Sequence, residues 1–214
     1  MAALTNRQIA QRLRALADEI EAVQAPEPPA AVATTLPAPA PKGVQPLAWG
    51  ARVSPEFRAR VIQTGIDFNF DPNWLMACMA FETGRTFSPS KKNPRSTATG
   101  LIQFMAATAK GLGTTTAKLA AMSAEDQFDY VWLYFRDRIK ERGPIRRLTD
   151  CYMAILNPVA MGKPDDYPMW VKGSQAYAVN AGLDSNKDHK ITKAEAGAKV
   201  HALLAEGLRP ENVA

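Results

Sequence analysis

The stretch Asp71-Pro72-Asn73-Trp74-Leu75-Met76-Ala77-Cys78-Met79-Ala80-Phe81-Glu82-Thr83-Gly84 reads as one complete helix with an acid in an unfavourable place. Asp71 can cap the first turn, Pro72 suits the first helical position, and Gly84 supplies the stop. Glu82 shares a face with Met79, Cys78 and Leu75, at offsets of three, four and seven, so it is predicted to point inward. It also sits in the last turn, where the helix dipole is negative. Burial and dipole both disfavour the charged carboxylate and should raise its pKa. A carboxylic acid still protonated near neutral pH is what donating a proton to a leaving oxygen requires. The bland alternative is a structural Glu bonded to nearby backbone amides or to Arg85.

Outward from this helix the pattern stays helical. Ser54-Pro55 opens a helix with Phe57, Val61, Ile62 and Ile66 on one face. Ser123 with Asp126 caps a longer one whose face is Phe128, Val131, Trp132, Phe135 and Ile139, stopped by Gly143-Pro144. A further helix is predicted from about Arg147 to Leu156. No pair of segments alternates as paired strands do, although residues 91–101 leave room for one short β-hairpin. The predicted fold class is therefore all-α, mainly helical, with an N-terminal helical arm on a Pro/Ala-rich linker. The arm covers residues 1–24, where Ile9, Leu13, Leu16, Ile20 and Val23 recur at spacings of four and three. That seam suits docking on the body, self-association or partner docking. The linker covers 25–46, a run of Pro and Ala that cannot pack a core. A catalytic domain is predicted over 47–182, and a loop and C-terminal helix packed on it over 183–214.

An apolar fraction of 46% is enough for one domain with a real core. No run approaches the length of a membrane span, so no membrane insertion is expected. The N-terminus lacks the basic start and apolar run of a secretory signal. The net charge of +5 suits a polyanionic partner, but the basic residues form only pairs such as Lys91-Lys92 and Arg146-Arg147. Nucleic acid is not expected as a partner. Cys78 and Cys151 each lie in an apolar stretch and read as buried thiols rather than a disulfide.

A second motif follows the acidic helix end: Thr97-Ala98-Thr99-Gly100-Leu101-Ile102-Gln103-Phe104. Together, Glu82-Thr83-Gly84 and Gly100-Leu101-Ile102-Gln103-Phe104 resemble the paired signature of the lytic transglycosylase and goose-type lysozyme superfamily, in the manner of phage endolysins and virion-associated muramidases. The resemblance covers roughly residues 47 to 182. It implies a lysozyme-like helical domain that cuts the MurNAc-GlcNAc β-1,4 bond of bacterial peptidoglycan, by lytic transglycosylation or hydrolysis. It implies Glu82 as the catalytic acid, and as substrate-binding residues of the sugar groove Thr83, where Ser is common, Gln103, Tyr152 and Asn157. The family's third motif is Ala-x-Tyr-Asn-like. Here Ala154-Ile155-Leu156-Asn157 stands nearest, with Asn157 conforming, Leu156 replacing the tyrosine, and Tyr152 one turn earlier able to offer a phenol. Asp71 lies eleven residues before Glu82, roughly 16 Å along a helix, too far for a two-carboxylate pair. Asp150, Asp165 and Asp166 are the other candidates, and the family manages with one acid. With no signal visible, the expected location is the host cytoplasm, with action on the periplasmic wall after release, or else the virion. The competing reading is a non-catalytic peptidoglycan-binding or virion structural protein.

Near the C-terminus, Asp184-Ser185-Asn186-Lys187-Asp188-His189-Lys190-Ile191-Thr192-Lys193-Ala194-Glu195 matches the twelve-residue EF-hand loop. Asp184, Asn186, Asp188, Thr192 and Glu195 supply side-chain oxygens, and Lys190 a backbone carbonyl. Ile191 gives the apolar position. His189 replaces the glycine of the sharp turn, where a positive φ is expected. A structural Ca2+ is the expected ligand, flanked by an entering helix over 167–182 and an exiting helix over 193–206.

Overall fold

Proline at the first helical position opens two of the helices, as the sequence predicts. In the computed structural model, which describes residues 46–94 and 96–214, α1 spans Pro55–Phe68 and α2 spans Pro72–Thr83. Ser54 and Asp71 accept from the backbone N–H groups of Phe57 and Asn73, and Gly84 ends α2 at φ 62°. Then come α3 (Ala106–Gly111), α4 (Thr116–Ala120), α5 (Ala124–Arg142) and α6 (Leu148–Leu156). The chain continues through β1 (Pro168–Val171), α7 (Gln175–Asn180), β2 (Lys190–Thr192) and α8 (Lys193–Gly207). The described residues are thus mainly helical with one two-stranded antiparallel sheet, β1–β2. The arm over 1–24 and the linker up to residue 45 lie outside the described residues.

Two local expectations need correction. The 91–101 segment makes only isolated antiparallel bridges, Lys92 with Thr99 and Thr99 with Phe104, because Pro94 and the left-handed Gly100 and Gln103 break any longer ladder. The sheet forms instead where an entering helix over 167–182 was expected. Helix begins there only at Gln175, with α7 and the 3-10 turn Ala181–Leu183 that follows it. Gly173, at φ 99°, turns the chain, and Trp170 and Val171 pair with Ile191 and Lys190. The apolar loop residue Ile191 is thereby fully buried.

α2 is the central helix: Leu75 to Ala80 are all completely buried. α8 packs on both α2 and α6. Its contact with α6 is close enough that a Cβ on Gly197 would lie 2.5 Å from Thr149 Cγ2. The first described residues seal the same seam. Leu47 N–H donates to Ala214 O, Trp49 N–H to Gly207 O, and the Trp49 indole to Leu203 O, all within 3.0 Å. The C-terminal helix is therefore part of the core.

Gln127 on α5 fixes the Gly100–Gln103 turn. It is fully buried, accepts from Leu101 N–H at 2.7 Å, and donates to Pro89 O and Leu119 O at 2.9 and 2.8 Å. A Cβ on Gly100 would stand 2.2 Å from its Oε1, and Gly100 has φ 85°. Gln127→Leu strands three backbone groups in the interior and should cost about 3 kcal/mol, read as a lower denaturation midpoint at unchanged slope.

Candidate active site

Because α2 stops at Gly84, Glu82 is held at its rigid end above the buried Leu75, Cys78 and Met79. The side chain is half-buried, and among the described residues its carboxyl has no hydrogen bond or ion pair. Burial alone pushes its pKa up to about 8. Arg85, the alternative partner, turns away at φ 69° and grips Glu206 with two bonds of 2.6 and 2.8 Å. The acid is thus left protonated at neutral pH.

Glu82 opens into a groove of about 350 Å³. One wall comes from α2 and α6, through Phe81, Tyr152 and Leu156; the other from α7 and α8, through Asn180 and Lys199. Phe81 and Tyr152 meet edge to face, with ring centroids 5.4 Å apart. Burial, then the nearby Glu82 charge, pushes the Tyr152 phenol well above the usual range, so it stays a neutral donor. Beneath the groove the free thiols of Cys78 and Cys151 touch across α2 and α6, and burial holds Cys78 protonated. Tyr134, also close to Glu82, donates its hydroxyl to Ala154 O at 2.6 Å.

The other expected substrate residues stand apart. Thr83 is fully buried; its hydroxyl donates to Met79 O at 2.6 Å and accepts from Phe87 N–H at 3.0 Å. It locks the helix end and faces no groove. Gln103 sits at φ 52° in its turn and donates to Lys91 O and Gly100 O at 3.1 and 3.0 Å, so it braces the turn. Asn157 ends α6 and, like Gln103, does not line the Glu82 groove. Asn180 and Lys199 were missed by sequence reading, since nothing local ties them to α2.

Among the described residues no second carboxylate lines this groove. Asp150 is buried against Lys193 and Gly162 N–H, and Asp165 pairs with Arg147 at 3.1 Å. A larger groove, about 930 Å³, lies at the opposite end of α2, around Phe70, Trp74 and Arg146. Its one lining carboxylate among the described residues is Asp71, which caps α2 and accepts from Asn73 N–H.

In the Asp184–Glu195 loop the expected positive φ falls at His189. His189 adopts φ 69°, and its N–H donates to Asp184 Oδ2 at 3.0 Å. Asp188 N–H donates to Asn186 Oδ1 and Lys190 N–H to Asp188 Oδ1, both at 2.9 Å. Glu195 accepts from Thr192 and Ser185 and closes the loop. Asp184 Oδ1 is buried with no hydrogen-bond partner among the described residues, a place where a cation fits. No cluster of three or more His, Cys, Asp or Glu side chains forms a ready metal cage among those residues, so Asn186, Thr192 and the Lys190 carbonyl would have to complete the shell.

Comparison with protein-family models, with curated proteins and with solved structures finds no match to this chain. No described helix is long and apolar enough to cross a membrane.

Proposed function

We propose that this protein cleaves the MurNAc-GlcNAc β-1,4 bond of peptidoglycan, with Glu82 as general acid and then general base. The observation that carries the reading is a half-buried, unpartnered Glu82 held near pKa 8 at the wall of a groove with no second carboxylate. Glu82 donates its proton to the glycosidic oxygen as the C1–O bond breaks. The resulting carboxylate takes a proton from the C6 hydroxymethyl of the muramic residue, whose oxygen bonds to C1 and closes a 1,6-anhydro ring. Water in place of that hydroxymethyl gives hydrolysis by the same proton transfers. The paired motifs at Glu82 and Gly100–Phe104 support a lysin of the lytic transglycosylase and goose-type lysozyme kind, acting from the host cytoplasm after release or from the virion. Turbidity clearing of permeabilised bacteria tests this: wild type lyses and Glu82→Gln does not. Binding to walls without lysis would favour the non-catalytic reading.

In the same proposal the Asp184–Glu195 loop holds one structural Ca2+ through Asp184, Asn186, Asp188, Lys190, Thr192 and Glu195. The ion contributes no chemistry to cleavage; it ties α7 and α8 together beside the groove. Saturating calcium should raise Tm by roughly 5 °C or more, as ligand linkage at a hundred-fold excess over Kd implies. Asp184→Ala should remove the shift, which calorimetry in calcium and in chelator reads directly.

A further inference from the structure

We propose that Lys199 is a specificity-determining residue that binds a carboxylate of the substrate, on the lactyl arm of muramic acid or on the peptide it carries. This rests on the glycan-cleaving reading of the Glu82 groove. Lys199 lines that groove from α8, facing the wall that carries Phe81, Glu82 and Tyr152. It is exposed, and it has no hydrogen bond or ion pair among the described residues.

Its free state is a consequence of the surrounding structure. Glu195, four residues earlier on α8, would be its natural helical partner. Yet the Glu195 carboxylate is taken up by Thr192 and Ser185 in the loop, at 2.9 to 3.1 Å. Glu206, about two turns further along α8, is gripped by Arg85. Glu82, across the groove, makes no ion pair with Lys199 among the described residues. Among the described residues the groove thus presents one acid, Glu82, and one cation, Lys199, which are not paired with each other. A neutral GlcNAc polymer has nothing to offer that cation. A muramic glycan carries a carboxylate on the sugar at which the bond is cut: on the lactyl group when peptide is absent, and further out on the stem when it is present. A charge-assisted bond at a partly exposed site should contribute about tenfold in affinity.

The test uses the full chain and three probes: peptide-free glycan strands, peptide-bearing strands and chitin oligosaccharides. Lys199→Ala should raise KM on muramic glycans about tenfold with kcat little changed, while Lys199→Arg stays close to wild type. Calorimetric titration of the Glu82→Gln protein, with and without Lys199→Ala, should show weaker binding of muramic strands and unchanged binding of chitin oligosaccharides. Loss on peptide-free strands assigns the lactyl carboxylate, and loss confined to peptide-bearing strands assigns the stem. Equal loss on chitin, or no loss on any probe, would overturn the proposal. Absence of cleavage by wild type would instead refute the glycan-cleaving reading, and the binding titration would still decide the role of Lys199.

Discussion

Replacing Glu82 by Gln is expected to stabilise the protein at neutral pH while removing the proposed glycan-cleaving activity. The folded acid titrates near 8 against an ordinary 4.5. Below pH 4.5 it is protonated in both states and the substitution changes little. Between 4.5 and about 8 the unfolded chain releases the proton and the folded protein keeps it, so wild-type stability falls as pH rises. Above 8 both states are ionised and the deficit stays constant. A neutral amide of the same shape avoids that deficit. With one side of the carboxyl open to the groove, the gain at pH 7 should be about 2–3 kcal/mol, roughly 5–10 °C in Tm. Lytic activity should fall roughly 10²–10⁴-fold, the usual contribution of a general acid. Thermal melts of both proteins from pH 4 to 9 check the sign. A gap that is absent, reversed or independent of pH would contradict the burial of this acid.

The second large effect is expected at the buried pair that joins α8 to α6. Lys193 is completely buried, and its ammonium donates to Asp150 Oδ1 and to Lys163 O, the latter at 2.8 Å. Asp150 is 2% exposed; its Oδ1 also accepts from Gly162 N–H at 3.0 Å, and Arg147 approaches its Oδ2 at 3.5 Å. Asp150→Ala leaves an ammonium in the interior with one carbonyl for company. The expected loss is about 3–5 kcal/mol, larger than that of either surface pair Arg85–Glu206 or Arg60–Asp129. Asp150→Leu with Lys193→Met removes both charges and should recover most of the stability. Denaturant unfolding of the singles and the double gives the coupling. A double variant as unstable as Asp150→Ala alone would show that packing, and not the uncompensated charge, sets the cost.

What could be read in the sequence was what local chemistry determines. Asp71-Pro72 and Gly84 mark the ends of α2, and the offsets of Leu75, Cys78 and Met79 put Glu82 on the inner face. The EF-hand pattern likewise anticipated the positive φ of His189, a property of one turn. Failures came where tertiary partners decide. Residues 167–182 look helical in isolation, but β2 offers Trp170 and Val171 a strand to pair with, burying Ile191. Thr83 reads as a groove hydroxyl by resemblance, yet Met79 O and Phe87 N–H claim it. Lys193 gives no sign in sequence that it will be completely buried, because Asp150 lies 43 residues away. For the same reason Asn180 and Lys199 could not be placed beside Glu82. The Gly100 requirement was visible as a motif, but its cause, the amide of Gln127, was not.

The proposed cleavage of a wall glycosidic bond by Glu82 is tested by mass spectrometry of the fragments released from purified sacculi. Wild type should release glycan fragments cut between MurNAc and GlcNAc, with intact stem peptides, ending in 1,6-anhydro or reducing muramic acid, and Glu82→Gln should release none of them. Fragments cut within the peptides, or the same glycan fragments from Glu82→Gln, would contradict it.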